Sequence, residues 1–176
     1  MSVDVQALVD EGVEAWNAWR EANPNADLDV SDLSFDYLDL SGINFSKLNF
    51  DYVGLSAATL IGANFDGASL DHTDLSDAML DRATFRDADA KCVNMFGASL
   101  VEAKLIRTNL AECSLRDADL KRADLSGADL TAGYLKDSDV AGATFSGADL
   151  TRAFFEGSNV TEEQLRGAAR MEVVRL

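Results

Sequence analysis

"ADLKRADLSGADLTAGYLKD" occupies residues 118–137, and Ala-Asp-Leu recurs in it at 118–120, 123–125 and 128–130. A helix repeats its apolar positions every 3.6 residues and a strand every 2. A spacing of five belongs to neither, so each pentad must hold a short extended piece and a turn. Taking the leucine as position i, large apolar residues recur from Val30, Phe35 and Leu40 through Phe155 and Val160 without a slip of register, and only Ala90 is small. Position i−2 is large at first (Leu28, Leu33, Leu38, Ile43, Leu48, Val53) and mostly alanine from Ala58 onward. Side chains two residues apart share one face of an extended segment, so i and i−2 form the core. Position i−1 is often Asp or Asn. Position i+2 is often Gly, which suits a corner.

The pattern Ala-(Asp/Asn)-(Leu/Phe)-x-Gly, as in Ala63-Asn64-Phe65-Asp66-Gly67 and Ala123-Asp124-Leu125-Ser126-Gly127, resembles the pentapeptide repeat family over residues 28 to about 162. The resemblance implies an all-β solenoid, a right-handed quadrilateral β-helix with four pentads, hence 20 residues, per coil and about seven coils. A coil of 20 stacks Phe45, Phe65, Phe85, Leu105, Leu125 and Phe145 in one column, and Leu40, Leu60, Leu80, Leu100, Leu120, Val140 and Val160 in another. Four phenylalanines falling in one column suit a ladder of rings. At strand spacing the stack makes a rod roughly 30–35 Å long.

A stack of this kind needs covered ends. Residues 1–27 read as an N-terminal amphipathic helix and linker: Val5, Leu8, Val9, Val13, Trp16 and Trp19 lie at helical spacing within 2–22, and Pro24 closes the run. Trp16 and Trp19 are expected on the first coil, above the large i−2 residues. Residues 28–162 are the repeat, and 163–176 a helical cap and apolar tail. Thr161-Glu162-Glu163-Gln164 reads as a capping box opening a helix through about Arg170.

The 31 acidic and 15 basic residues give a net charge of −16. That balance excludes direct nucleic-acid binding and an anionic membrane surface. The apolar runs are too short to span a bilayer, the N-terminus is acidic where a signal peptide is basic, and two cysteines make no disulfide framework. The expected compartment is a reducing cytoplasm. His72, the single histidine, sits outward near Asp71 and Asp74 and reads as a solvated surface residue. Cys92 points outward and Cys113 inward, so they form neither a disulfide nor a metal pair. No catalytic, metal or cofactor site is expected, and the chain reads as non-enzymatic.

Outward charge is uneven. The column through Leu70 carries eight acids (Asp29, Asp32, Asp51, Asp71, Asp89, Glu112, Asp129, Asp149) and two bases, whereas that through Phe65 carries three and four. Asp51, Asp71, Asp89, Glu112, Asp129 and Asp149 are therefore the candidate acidic interaction face, although Asp at i−1 is also simply this repeat's favoured residue. Tyr134 and Phe154, 20 residues apart, join Met171, Val173, Val174 and Leu176 as a candidate partner or homodimer contact at the C-terminal end. Two functions follow. The first is a rigid protein-interaction scaffold whose partner the sequence does not name. The second is polyanion mimicry: family members that protect type II topoisomerase are held to occupy its DNA-binding saddle, which makes DNA gyrase the expected partner in that case. The chain differs from the quinolone-resistance type in having no loops between coils and in adding the Trp-bearing helix.

Overall fold

Within one pentad the five backbone N–H groups have separate destinations, and these set the architecture. At Ala63–Gly67 the Ala63 N–H closes a turn onto the Leu60 carbonyl (3.0 Å). Asn64 donates to Ile43 (2.9 Å) in the coil before, and Phe65 and Gly67 donate to Thr84 (2.7 Å) and Arg86 (2.8 Å) in the coil after. The fifth N–H, that of Asp66, donates to the side-chain Oδ1 of Asn64 at 2.9 Å. Three ladder bonds and one turn bond in every five residues allow no long strand. The pairing shows as single parallel bridges between residues 20 apart, from Asp29–Asn49 to Tyr134–Phe154. The computed structural model describes residues 4–26, 28–172 and 174–175.

Each corner is a β-turn whose second central residue has a positive φ. Every i+2 residue from 37 to 157 adopts it, glycine or not: Gly67 has φ 67°, and Tyr37, His72 and Cys92 have 63°, 56° and 55°. A positive φ at that place alone marks type II. For a residue with a Cβ this region costs roughly 1–2 kcal/mol. The ladder on both sides over-determines the corner and holds it there.

The interior is dry. Phe65, Leu80, Leu105 and Leu125 at position i, and Ala63, Ala83 and Ala103 at i−2, are fully buried. The expected ring ladder is present: Phe45 and Phe65 lie 5.5 Å apart, and Phe65 and Phe85 stack at 4.9 Å with planes 3° apart. Two threonines stand inside in place of alanine. Each donates its hydroxyl to a core-facing residue's carbonyl, Thr73 to Phe50 (2.7 Å) and Thr108 to Phe85 (2.6 Å), so their burial leaves no polar group unsatisfied.

The N-terminal segment forms two helices, α1 (Val5–Asp10) and α2 (Val13–Ala22), where the apolar spacing suggested one. Gly12, at φ 94°, makes the break and is the N-cap of α2. Trp16 is wholly buried; its ring meets Phe45 edge-on at 5.3 Å and its indole N–H donates to the Asn44 carbonyl (2.8 Å). Asn17 and Arg20 also reach backbone carbonyls on the first coil, Gly42 and Ser46. Trp19 is only partly buried against the core. One large i−2 residue departs from its expected inward place: Leu38 is 39% exposed. The hydrogen bonds of α2 to the first coil fall at Gly42, Asn44 and Ser46, past Leu38.

At the other end α3 is Glu162–Arg166, shorter than the sequence suggested because Gly167 ends it. The capping box is formed between Thr161 and Gln164. The Gln164 amide also donates to the carbonyls of Val140 (2.7 Å) and Ala143 (2.9 Å), replacing part of the coil that would follow. The chain then resumes pairing with one residue added: Asp149 bridges Arg170 and Phe154 bridges Arg175. Leu165 of α3 is buried on the end of the core.

Candidate interaction faces

The acidic column is built by the backbone as much as by any surface requirement. An Asp or Asn at i−1 accepts from the N–H of i+1 in the same pentad. Asp124 takes Ser126 (3.0 Å), Asp129 takes Thr131 (2.9 Å) and Asp149 takes Thr151 (2.9 Å). These are Asx turns. At four pentads i−1 is Gly54, Ser69, Thr84 or Ser99, none of which carries a carboxylate or amide. The orphan N–H of Ser56, Asp71, Arg86 or Val101 is then accepted by an Asp one coil earlier: Asp36, Asp51, Asp66 and Asp81 respectively. A Cβ on Gly54 would lie 2.9 Å from the Asp36 carboxylate, so this aspartate fills the place of the missing side chain.

This pattern sorts the six candidate acids. Asp51, Asp129 and Asp149 cap backbone N–H groups. Asp89 accepts from the Asn109 amide (2.7 Å), and Glu112 pairs with Lys91 (3.5 Å). Asp71 has its own N–H capped by Asp51, while one of its carboxylate oxygens is buried with no hydrogen-bond partner. Capping stabilises the charged carboxylate. The Ser31 and Ser41 hydroxyls and N–H groups hold Asp29 and Asp39 below the usual range, and Thr151 does the same for Asp149. Asp139 is pulled down to about 2, chiefly by Lys121 with help from Asn159 and the Ala141 N–H. Ion pairs also run lengthwise between coils. Arg107 grips Asp87 with two nitrogens at 2.6 Å, Arg122 reaches Glu102 at 2.9 Å, and Lys121 lies 2.8 Å from Asp139 one coil on as well as 2.8 Å from Asp119 in its own coil.

At the C-terminal end Tyr134 and Phe154 stack at 4.9 Å with planes 6° apart, and the Arg175 guanidinium lies 5.0 Å from the Phe154 ring centre. Met171 is 45% exposed. Val174 is partly buried against the chain's own core. Val173 and Leu176 lie outside the described residues.

Cys113 is buried and its thiol is pushed up to about 12 by burial, whereas Cys92 is half-buried on the outside. Along the chain Cys92 and His72 look unrelated, and the fold brings them together. The interval of 20 between them is the signal in the sequence, since it stacks them on consecutive coils. A cavity of about 520 Å³ lies where α2 meets the first coils beside Arg20, Asn44 and Lys47. No helix among the described residues is long and apolar enough to cross a membrane.

A family model described as pentapeptide repeats matches in eight copies over 26–67, 49–87, 58–95, 94–131 and 134–162, most of the chain. The chain belongs to the pentapeptide repeat family. Pentapeptide repeat proteins adopt the right-handed quadrilateral β-helix, to which the 20-residue bridging conforms. They are in general structural and interaction proteins rather than enzymes. Among solved structures, QnrB1, a plasmid-mediated fluoroquinolone resistance protein, is 18% identical with a TM-score of 0.51, over 77% of this chain and 85% of its own. HetL, a pentapeptide repeat protein involved in heterocyst differentiation regulation from the cyanobacterium Nostoc sp. strain PCC 7120, is 21% identical with a TM-score of 0.47, over 90% of this chain and 93% of its own. The likeness to QnrB1 concerns the fold alone. No curated protein sequence matches the chain.

Proposed function

We propose that this pentapeptide repeat protein is a non-enzymatic, rigid scaffold that binds a protein partner along the sides of its rod. The observation that carries this reading is the unbroken 20-residue register from Asp29 to Phe154. It gives flat sides with no inserted loop to wall a reaction pocket. Small-molecule sites want a concavity with convergent polar groups, while a stiff ladder loses little conformational entropy when a partner docks. The test is affinity capture with the wild type and four variants, each neutralising the outward charges of one side. Loss of a captured partner with one side only supports the scaffold. Equal capture by all four variants overturns it.

The uneven charge favours a second reading, mimicry of a polyanion. B-DNA presents one charge per ~1.7 Å of axis, and family resemblance makes DNA gyrase the partner to try. Much of the acid caps the backbone, but capped carboxylates keep their charge, so the two roles are compatible. Because Asn keeps the capping oxygen, Asp129→Asn with Asp149→Asn removes charge and leaves the corners intact. Mimicry requires gyrase supercoiling to be inhibited at low salt and the inhibition to weaken in that double variant. Absence of inhibition at low salt, or an unchanged effect of the variant, rejects it.

A further inference from the structure

His72 and Cys92 occupy the same corner of consecutive coils, and Asp71 precedes His72 on its turn. One carboxylate oxygen of Asp71, one ring nitrogen of His72 and the Cys92 sulfur all lie within 4.8 Å of one another. Tyr52, one coil earlier in the same column, stacks on the imidazole at 5.0 Å with planes 15° apart and so fixes the ring's orientation. The shielded oxygen of Asp71 lies 3.0 Å from His72 Nδ1, yet it makes no hydrogen bond. Its neighbours in the column, Asp51, Asp89 and Glu112, are committed to a cap, an amide and a lysine. This oxygen lies against the imidazole, on the side of the rod that also carries the Cys92 thiol.

We propose that Asp71, His72 and Cys92 form a binding site for a divalent ion of the zinc class on the side of the rod. Zinc takes carboxylate, imidazole and thiolate together at about 2.0–2.3 Å in a tetrahedron. Magnesium and calcium demand six or more oxygens or a near-octahedral shell, which this set does not supply. Thiolate and imidazole in one site select zinc or copper among the common metals. In a tetrahedron of that size ligand atoms stand about 3.3–3.8 Å apart, so side-chain rotations on the exposed corners suffice to close the site. Binding releases the Cys92 proton to solvent and forms the metal–sulfur bond. One thiolate and one carboxylate then neutralise the ion. The fourth position falls to water.

The site is independent of the scaffold reading and is tested separately. The full chain, reduced and stripped with a chelator, is titrated with cobalt(II) and then with zinc(II). The site requires one equivalent of cobalt with sulfur-to-metal charge-transfer absorption, displaced by zinc. It requires loss of that absorption in Cys92→Ser and at least about tenfold weaker binding in His72→Gln and Asp71→Asn. Cys113→Ala, which places the repeat's usual residue inside the shaft, must leave the spectrum unchanged. All four variants are checked by circular dichroism, and if Cys92→Ser does not fold, the other two ligand variants carry the test. Wild-type protein without charge-transfer absorption in excess cobalt overturns the site. So does absorption that survives Cys92→Ser.

Discussion

At the scale of the residue, the capping aspartates explain a composition that otherwise looks functional. A ladder of pentads leaves one N–H in five without a backbone acceptor, and a short side chain ending in an oxygen at i−1 reaches it. The requirement is for the oxygen and not for the charge. Replacing Asp124 by Ala strands the Ser126 N–H and hydroxyl, which Asp124 accepts at 3.0 and 2.5 Å. The expected loss is about 1 kcal/mol, while Asp124→Asn is near neutral. Urea unfolding of the two variants separates them, and equal losses would mean that charge, not capping, selects the residue. The depressed carboxylates also set a pH dependence. Asp29, Asp39, Asp139 and Asp149 have folded-state values below their unfolded ones. Their contribution is therefore complete above the ordinary carboxylate value of about 4 and is lost as pH falls through the folded values, to about 2 for Asp139. The urea midpoint should fall steeply between those limits and stay nearly level from neutral pH down to about 5. Asp139→Asn should flatten the lower part of the slope.

At the scale of the element, the ends differ in kind from the shaft. The first coil has no coil before it, and α2 supplies donors and an apolar surface in its place. Trp16 concentrates that role, because its ring fills the space beside Phe45 and its N–H satisfies the Asn44 carbonyl. Trp16→Ala should cost about 3–5 kcal/mol and open residues 13–22 to protease before the shaft unfolds. Protection of that segment equal to the wild type would show that α2 is held by other contacts. At the far end α3 closes the last coil. Gln164 donates to two carbonyls that no further coil would reach, and the added residue is absorbed where the ladder is already interrupted.

At the scale of the whole molecule, the rod is nearly one-dimensional, so each coil answers mainly to its neighbours. Removing residues 98–117 takes out one complete coil and joins Gly97 to Ala118 with every column preserved. The shortened chain should fold cooperatively into a rod shorter by about 4.8 Å, seen by small-angle scattering and thermal unfolding. Removing Ser126 alone leaves a corner that cannot close without turning an inward side chain outward. Its thermal midpoint should fall further than that of the twenty-residue deletion, and the reverse order would contradict a fixed coil length.

How much of this was legible in the sequence depends on the range of the interaction. Twenty-seven consecutive apolar positions at a spacing of five sufficed for the core and the corners, because each is dictated within a pentad, while the coil length of 20 came from the family resemblance and was supported by the phenylalanines falling in one column. The same regularity made the Phe45–Phe65–Phe85 ladder readable. The two-helix N-terminus, the exposed Leu38 and the partly buried Val174 were not readable, since each depends on what lies against an end where the repeat stops. The capping by aspartates also needed coordinates: an Asp at i−1 caps its own pentad, whereas Asp36, Asp51, Asp66 and Asp81 at i+1 cap the coil after, where the i−1 residue has no carboxylate or amide. By itself the sequence determined which positions line the dry interior, since Leu or Phe at i and Ala at i−2 share one face of each extended piece, while the right-handed square winding rested on the family resemblance. Only the tertiary structure decided which outward groups meet, as at Asp71, His72 and Cys92, because contacts between coils join residues that a linear pattern keeps far apart.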